Sequence, residues 1–393
     1  MAVETAPHRD PFVLSEDERL VRDTARDWAQ REVAPGAAQR DEEERYDRAL
    51  FERAGELGLT GIPYPEAYGG AGMGTFAWVL AAEEVAAADM GMAVSLSVHV
   101  LSQVCILANG SEEQKQRFLP AMTAGRELGA FALTEPQAGS DAAALSLTAT
   151  RDGDDYLLTG TKIWITNAGE AARYVVFGTV DRSAGKAGIT AFVVEADTPG
   201  FRLGSKERKM GIRGTTGYEL VLEEARVPAE NRLGDEGDGL RVALSALGVG
   251  RIGIAACCTG LARSALDLAA RYALQRRQFG RAIADQEMIQ GMLAEMAVGV
   301  DAARLLTWRA ARLRDGGQPI NAPSSMAKWY ASDVAMRVTT DAVQIYGGAG
   351  YSRDNPVERL MRDAKGAQIY EGTNQIHRLI VAQQLLDGLR RES

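Results

Sequence analysis

YLLTGTKIWITN, residues 156–167, is the stretch whose reading decides the fold. It carries β-branched and aromatic residues around Gly160, and three later stretches share that character: YVVFGTV (174–180), ITAFVVEA (189–196) and YELVLEEARVP (218–228). Gly, Asp and Pro turn signals separate them, so they read as the strands of one β segment that begins near Gly129 and ends at about Val227–Pro228. Upstream the pattern is helical. LSEDERLVRDTARDWAQREVAP (14–35) joins a Ser15-x-x-Glu18 capping box to apolar Leu20, Val21, Ala25 and Trp28, and Pro35 is expected to end that helix. A Pro/Gly-rich loop from Pro63 to Gly74 follows, then apolar segments over 77–108, and SEEQKQRFLPAM (111–122) opens another capped helix. Downstream, no proline occurs between Pro228 and Pro319 in Ala/Leu/Arg-rich sequence, which predicts a helical bundle. Helices, then strands, then helices give an α+β class with domains at 1–128, 129–238 and 239–393.

Composition narrows the function. A chain of 393 residues with 46% hydrophobic and 25% charged residues can bury a large core. Its net charge of -9 leaves no basic field for nucleic acid, so a phosphate-bearing ligand must be held by local donors. Cys257 and Cys258 are adjacent and Cys105 is remote, which suits small buried residues in a reducing compartment rather than a disulfide framework. MAVETAPHRDPF at the start lacks an apolar signal core, so a cytoplasmic location is the expectation. The uncharged run from Met90 to Ser111 is interrupted by Ser95, Ser97, His99, Ser102, Gln103 and Asn109; it reads as a buried helix, not a membrane span. Three histidines, His8, His99 and His377, offer no metal cluster.

Four motifs then carry the chemistry: FALTEPQAGSD (131–141), KIWITN (162–167), RRQFG (276–280) and IYEGTNQIHR (369–378). Together with KMGIRG (209–214), VPAENRLGDEGDGL (227–240), ARLLTWRAA (303–311) and QIYGGAGY (344–351), they resemble the acyl-CoA dehydrogenase family over almost the whole chain, closest to its short-chain branch. The resemblance implies an N-terminal helical domain, a middle β domain and a C-terminal four-helix bundle. It implies FAD at their junction, an acyl-CoA or other acyl-thioester substrate, a homotetramer, and an electron-transfer flavoprotein as electron acceptor. Desaturating a thioester needs a base on one face of the Cα–Cβ bond and a hydride acceptor on the other, and side chains cannot accept hydride. The base suits a carboxylate strengthened by a dry pocket.

By resemblance that base is Glu371, set between apolar Ile369-Tyr370 and Gly372; taken alone it would be a surface Glu in a turn. The family's other base position falls on Gly250, which carries no acid. Phe131, Leu133, Thr134, Gly139 and Ser140 are implied to line the flavin, with Ser140 also facing substrate. Trp164, Ile165 and Thr166 are implied to cover the isoalloxazine, although a Trp in an alternating strand is otherwise core. Arg276, Gln278 and Phe279, with Gln344, Gly347, Gly348, Thr373 and Gln375, are implied to reach the cofactor of a neighbouring subunit, where Arg suits pyrophosphate because its forked donors pair with phosphate oxygens. Arg251, Tyr370 and Gly372 are implied to meet substrate. Without the resemblance, GGAG (347–350) reads as a tight turn between helices, since a dinucleotide fingerprint needs a preceding strand and G-x-G-x-x-G spacing. The short-chain pattern is broken at Gly248, where Asp is expected, at Glu287, where Gln is expected, and at Gly217, where Thr is expected. These departures leave open a branched, functionalised or carrier-bound acyl group. A flavin oxidase, or a silent scaffold on the same fold, also stays open on sequence alone.

Overall fold

The computed structural model describes residues 13–392; the MAVETAPHRDPF segment with His8 lies outside them. Six helices come first: α1 (Glu16–Trp28), α2 (Ala37–Glu43), α3 (Arg48–Glu56), α4 (Gly74–Ala88), α5 (Met90–Asn109) and α6 (Glu112–Thr123). The capping boxes form as expected, Ser15 with Glu18 on α1 and Ser111 with Gln114 on α6. Pro35 does not end the first helix. The chain leaves α1 through a π turn at Ala29–Val33, and Pro35 sits early in a 3-10 turn, where its missing N–H is harmless, before α2 resumes.

The strands follow: β1 (Gly129–Ala132), β2 (Thr148–Asp152), β3 (Asp155–Thr166), β4 (Arg173–Thr179), β5 (Ile189–Glu195), β6 (Phe201–Lys206), β7 (Gly217–Pro228) and the short β8 (Arg232–Leu233). They form one sheet in the order β6-β7-β3-β2-β4-β5-β8, with β1 pairing parallel to β4. Pairing therefore runs past the sequence expectation of Pro228, because β8 adds two residues beside β5. The sheet has its own core around Tyr156, Tyr174, Phe192 and Leu220, separate from the larger helical core.

The C-terminal part holds α7 (Gly239–Gln275), a hairpin of β9 (Arg277–Gln278) and β10 (Arg281–Ala282), α8 (Glu287–Asp315), α9 (Asn321–Tyr346), α10 (Pro356–Ala367) and α11 (Asn374–Glu392). GGAG falls in a 3-10 turn that leaves α9, as the turn reading expects. Long α7 packs on α4, α5 and α9, and small residues permit the approach: a Cβ on Gly260 would lie 2.0 Å from the Glu83 carbonyl oxygen. Helices α5 and α7 are long and apolar enough to cross a membrane, but 94% and 83% of those windows are buried inside the protein, which is the pattern of core helices. All three cysteines are free and buried.

Candidate active site

Helices α10 and α11 are joined by a tight loop, and its closure fixes Glu371. The Tyr370 N–H donates to the Gly366 carbonyl at 3.1 Å and the Asn374 N–H to the Gln368 carbonyl at 3.1 Å, so Glu371 sits at the crest with a left-handed φ of 53°. A non-glycine residue held there signals a position fixed by its surroundings. Thr373 caps α11, its Oγ1 accepting from the Ile376 N–H at 3.4 Å. Opposite the loop stands α7. A Cβ on Gly250 would meet Glu371 Oε2 at 2.6 Å and Leu101 Cδ1 at 3.1 Å, so a side chain there would displace the carboxylate. In this chain, glycine at the alternative base position is what gives Glu371 its room.

The residue is half-buried, yet both carboxyl oxygens are out of solvent and accept no hydrogen bond. Desolvation pushes the Glu371 carboxyl up to about 7, against the opposing charges of Lys328 and Arg251. Lys328 itself is buried, donating to the Gly372 carbonyl at 2.7 Å and to Asn374 Oδ1 at 3.3 Å. Arg251 is buried too, with only Ser325 Oγ at 3.5 Å from its guanidinium and its Nε unpartnered. His377 lies under the loop, where burial and the two cations hold it down at about 3. Neither of its ring nitrogens makes a full hydrogen bond, although the Glu371 and Gly372 carbonyls approach the ring. His377 is thereby neutral, and the Glu371 carboxyl is the more basic of the two groups.

The sequence-derived cofactor residues fall into two groups. The first gathers on β1, the turn after it, and β3. The Ile163 N–H donates to the Thr134 carbonyl at 3.0 Å, joining the two motifs, and a buried pair of Lys162 with Glu135 at 2.8 Å locks them. Phe131 packs against Phe177 and Leu133 is buried in the same helical core, whereas Ile165 is buried in the separate core of the sheet. Trp164 is not a core residue: it is 58% exposed with a left-handed φ of 60°, where β3 slips register against β7 between Lys162 and Ile165. Gly139 and Ser140 are exposed, and the hydroxyls of Thr134, Ser140 and Thr166 bond to no described residue.

The second group is placed elsewhere. Arg276, Gln278 and Phe279 are exposed on the hairpin that packs on α7, and Phe279 is 95% exposed with φ 51°. Gln344, Gly347, Gly348 and Gln375 are exposed at the end of α9 and the start of α11, with open space where a Cβ on Gly347 or Gly348 would stand. One chain thus brings Tyr370, Glu371, Gly372 and Arg251 together, and separately the strand group, but it does not bring the hairpin to the strands.

At the positions that depart from the short-chain pattern, the surroundings differ. Gly248 is buried with Ile320 Cδ1 3.4 Å from a Cβ, so an apolar side chain, not open space, faces it. A Cβ on Gly217 would meet only ordinary contacts from 3.8 Å, so nothing steric demands glycine. Glu287 is exposed as the first residue of α8, where the helix dipole favours an acid.

Sequence reasoning missed Lys328, Asn374, Glu135 and Lys162. Ser325, Lys328 and Ser332 stand three and four residues apart and are all fully buried, a polar stripe on α9 that was legible in the sequence. The Glu135–Lys162 pair joins residues 27 apart in the chain and had no local signal.

A helical domain, a mixed sheet and a helical bundle, with a dry carboxylate on the loop between α10 and α11, define the three-domain class of enzyme to which the chain's family belongs. The chain belongs to the acyl-CoA dehydrogenase family, whose N-terminal domain matches residues 15–126, middle domain 130–225 and C-terminal domain 237–386. It is an oxidoreductase of acyl-CoA. It is 47% identical to an acyl-CoA dehydrogenase of Bacillus subtilis (95% of this chain, 99% of that one) and 45% identical to the mitochondrial short-chain specific acyl-CoA dehydrogenase of Mus musculus (96% and 92%). Among solved structures, a chain in that of the electron transferring flavoprotein of Acidaminococcus fermentans is 47% identical with a TM-score of 0.95 (95% and 99%). Butyryl-CoA dehydrogenase from Megasphaera elsdenii is 44% identical with a TM-score of 0.94 (95% and 99%). A glutaryl-CoA dehydrogenase from Mycobacterium smegmatis in complex with FADH2 is 33% identical with a TM-score of 0.90 (95% and 95%).

Proposed function

We propose that the protein is an FAD-dependent dehydrogenase of short or branched acyl thioesters in which Glu371 removes the α-proton. The observation that carries this reading is a carboxylate excluded from water, free of hydrogen bonds, and flanked by Lys328 and Arg251. A base in that state is ionised near neutral pH and strong because nothing solvates it. When bound, FAD supplies the acceptor for the β-hydride, a task no side chain can perform. The α-proton goes to the Glu371 carboxylate, and an enoyl thioester is left.

The residues present fit that cofactor. Thr134, Ser140 and Thr166 offer unpartnered hydroxyls and Trp164 an exposed ring, Phe131 and Leu133 give an apolar floor, and Ile165, its side chain buried in the sheet's own core, would offer backbone. Gly139 has open space around it, so backbone can approach a ligand closely. Arg276, Gln278 and Phe279, with Gln344, Gly347, Gly348, Thr373 and Gln375, would hold the cofactor of a neighbouring protomer in a homotetramer. Ser140, Arg251, Tyr370 and Gly372 would meet the thioester. An electron-transfer flavoprotein is the proposed acceptor, and the cytoplasm the proposed compartment, where three free buried thiols stay reduced.

Anaerobic flavin reduction by butyryl-CoA tests the base. Glu371→Gln is nearly isosteric and cannot accept the proton, so bleaching should slow by at least ~10²-fold with FAD retained. Near-normal bleaching would remove Glu371 from the reaction. The acyl preference is tested separately. With an acid absent at Gly248 and Ile320 facing it, kcat/KM for a 2-methyl-branched acyl-CoA should at least match that for butyryl-CoA. An advantage of butyryl-CoA of about tenfold, ~1.4 kcal/mol in transition-state stabilisation, would exclude the branched preference.

A further inference from the structure

We propose that Lys328 is a positioning residue for α-proton removal: its buried ammonium holds the Gly372 carbonyl and supplies the positive charge that keeps the neighbouring Glu371 carboxylate in place and ionised. The inference rests on Glu371 being the base. Its geometric ground is direct. Lys328 Nζ lies 2.7 Å from the carbonyl oxygen of the residue that follows Glu371, and 3.3 Å from Oδ1 of Asn374, the first residue of α11. The support is rigid, because Asn374 Nδ2 donates to Ser332 Oγ at 2.9 Å and to Asp333 Oδ1 at 2.8 Å. Gln368, at the other end of the loop, donates to the same Asp333 oxygen at 2.7 Å. One polar face of α9 therefore holds both ends of a loop whose crest is the base.

An ammonium so deep in the protein is costly unless its charge does something there. Its carbonyl and amide partners could be served by a neutral donor. What a neutral donor could not provide is a countercharge for a carboxylate with no hydrogen bonds of its own. The other groups around the carboxylate do not supply one. On α7, burial pushes the Cys257 and Cys258 thiols up, and on the loop it does the same for the Tyr370 phenol, so all three are neutral. His377 of α11 is held neutral. Leu101 of α5 is apolar, Asp363 of α10 bears on Tyr370 rather than on the base, and Asp333 is a like charge. That leaves Arg251 and Lys328, and of the two Lys328 lowers the Glu371 carboxyl more. Desolvation brings Lys328 down to about 8, which still leaves it charged at neutral pH.

The test separates charge from scaffolding by reading the base without hydride transfer. An acyl-CoA with sulfur at the β position can lose its α-proton but has no β-hydride to give. Its α-proton exchange in deuterated water, followed by NMR on the FAD-loaded protein across pH 5–9, therefore reports Glu371 alone. Glu371→Gln should abolish exchange. If it does not, the base assignment itself fails, whatever the Lys328 variants do. Lys328→Arg keeps charge and donor, and should hold the wild-type midpoint with a plateau within about threefold. Lys328→Gln keeps a donor without charge, and its midpoint should move up by about one pH unit. Lys328→Met loses both, and should show that shift together with a plateau roughly tenfold lower from a loosened loop. If Lys328→Met does not fold, the Arg and Gln variants decide the matter. A wild-type midpoint in Lys328→Gln, whatever its plateau, overturns the proposal and leaves Lys328 a structural prop.

Discussion

Keeping a carboxylate dry makes it a better base and a less stable component of the fold, and at Glu371 both effects come from the same desolvation. Its ordinary value of 4.5 is raised to about 7 in the folded chain. For a group raised on folding, the protonated form is the favoured one in the folded state. Its stabilising contribution is complete below pH 4.5 and is lost as pH rises through about 7. In the proposed reaction activity runs the opposite way, since only the ionised form accepts a proton. At pH 8 the native enzyme therefore bears an ionisation penalty on the order of 3 kcal/mol that Glu371→Gln avoids. Glu371→Gln should melt at higher temperature than the native protein at pH 8, and the gap should close as pH falls toward 5. A variant that melts lower at pH 8 and keeps that deficit at pH 5 would mean the carboxylate is not desolvated as the geometry requires.

Among the elements, the pairing of β1 and its following turn with β3 matters most, because it carries the strand group of proposed cofactor residues. Lys162 Nζ reaches both Glu135 Oε1 at 2.8 Å and the Leu133 carbonyl at 3.0 Å, with both charged side chains essentially out of solvent. Glu135 also accepts from the Ser146 and Leu147 N–H groups, so it orders the chain leading into β2. Removing the lysine alone leaves a buried carboxylate uncompensated, and Lys162→Met should cost about 3–5 kcal/mol in denaturant unfolding. The double variant Lys162→Met/Glu135→Gln should recover more than half of that, and an unrecovered loss would show that the lysine stem, not the charge, is what matters. The strands themselves were legible because β-branched runs between turn signals need no partner to be recognised. From the residues alone Trp164 reads as a core strand residue, and only the family resemblance gave it a place against a cofactor. Its outward, left-handed placement depends on the register slip between β3 and β7, and nothing within KIWITN encodes where β7 runs. Pro35 misled for a similar reason: a proline excludes helix interior, but the π turn before it shifts it into the start of the next turn.

For the molecule as a whole, the proposed base lies in one contiguous motif, whereas its electrostatic setting does not: Arg251 of α7, Lys328 of α9 and the α10–α11 loop that carries Glu371 are brought together only by the packed fold. The same limit applies between protomers. Phe279 is 95% exposed, Met288 85% and Leu274 70%, all within or beside the hairpin that carries Arg276. These exposed apolar side chains, with an exposed arginine that has no carboxylate partner among the described residues, are consistent with the contact surface that the proposed assembly requires. In the proposed assembly the hairpin covers a neighbour's cofactor, and Arg276 meets its pyrophosphate. A charge-assisted, forked contact of that kind contributes about 1.5–3 kcal/mol, so its loss should weaken flavin affinity by roughly ten- to a hundredfold. Arg276→Ala should then elute from size exclusion with less absorbance in the flavin band and as a smaller species, and added FAD should restore the larger one. Phe279→Ser, which removes apolar contact but no phosphate partner, should shift the size first and lose flavin only as protomers separate. If Arg276→Ala stays fully flavinated at the native size, the hairpin does not reach a neighbour's cofactor, and the cofactor must be held within one protomer by the strand group around Thr134, Ser140 and Thr166.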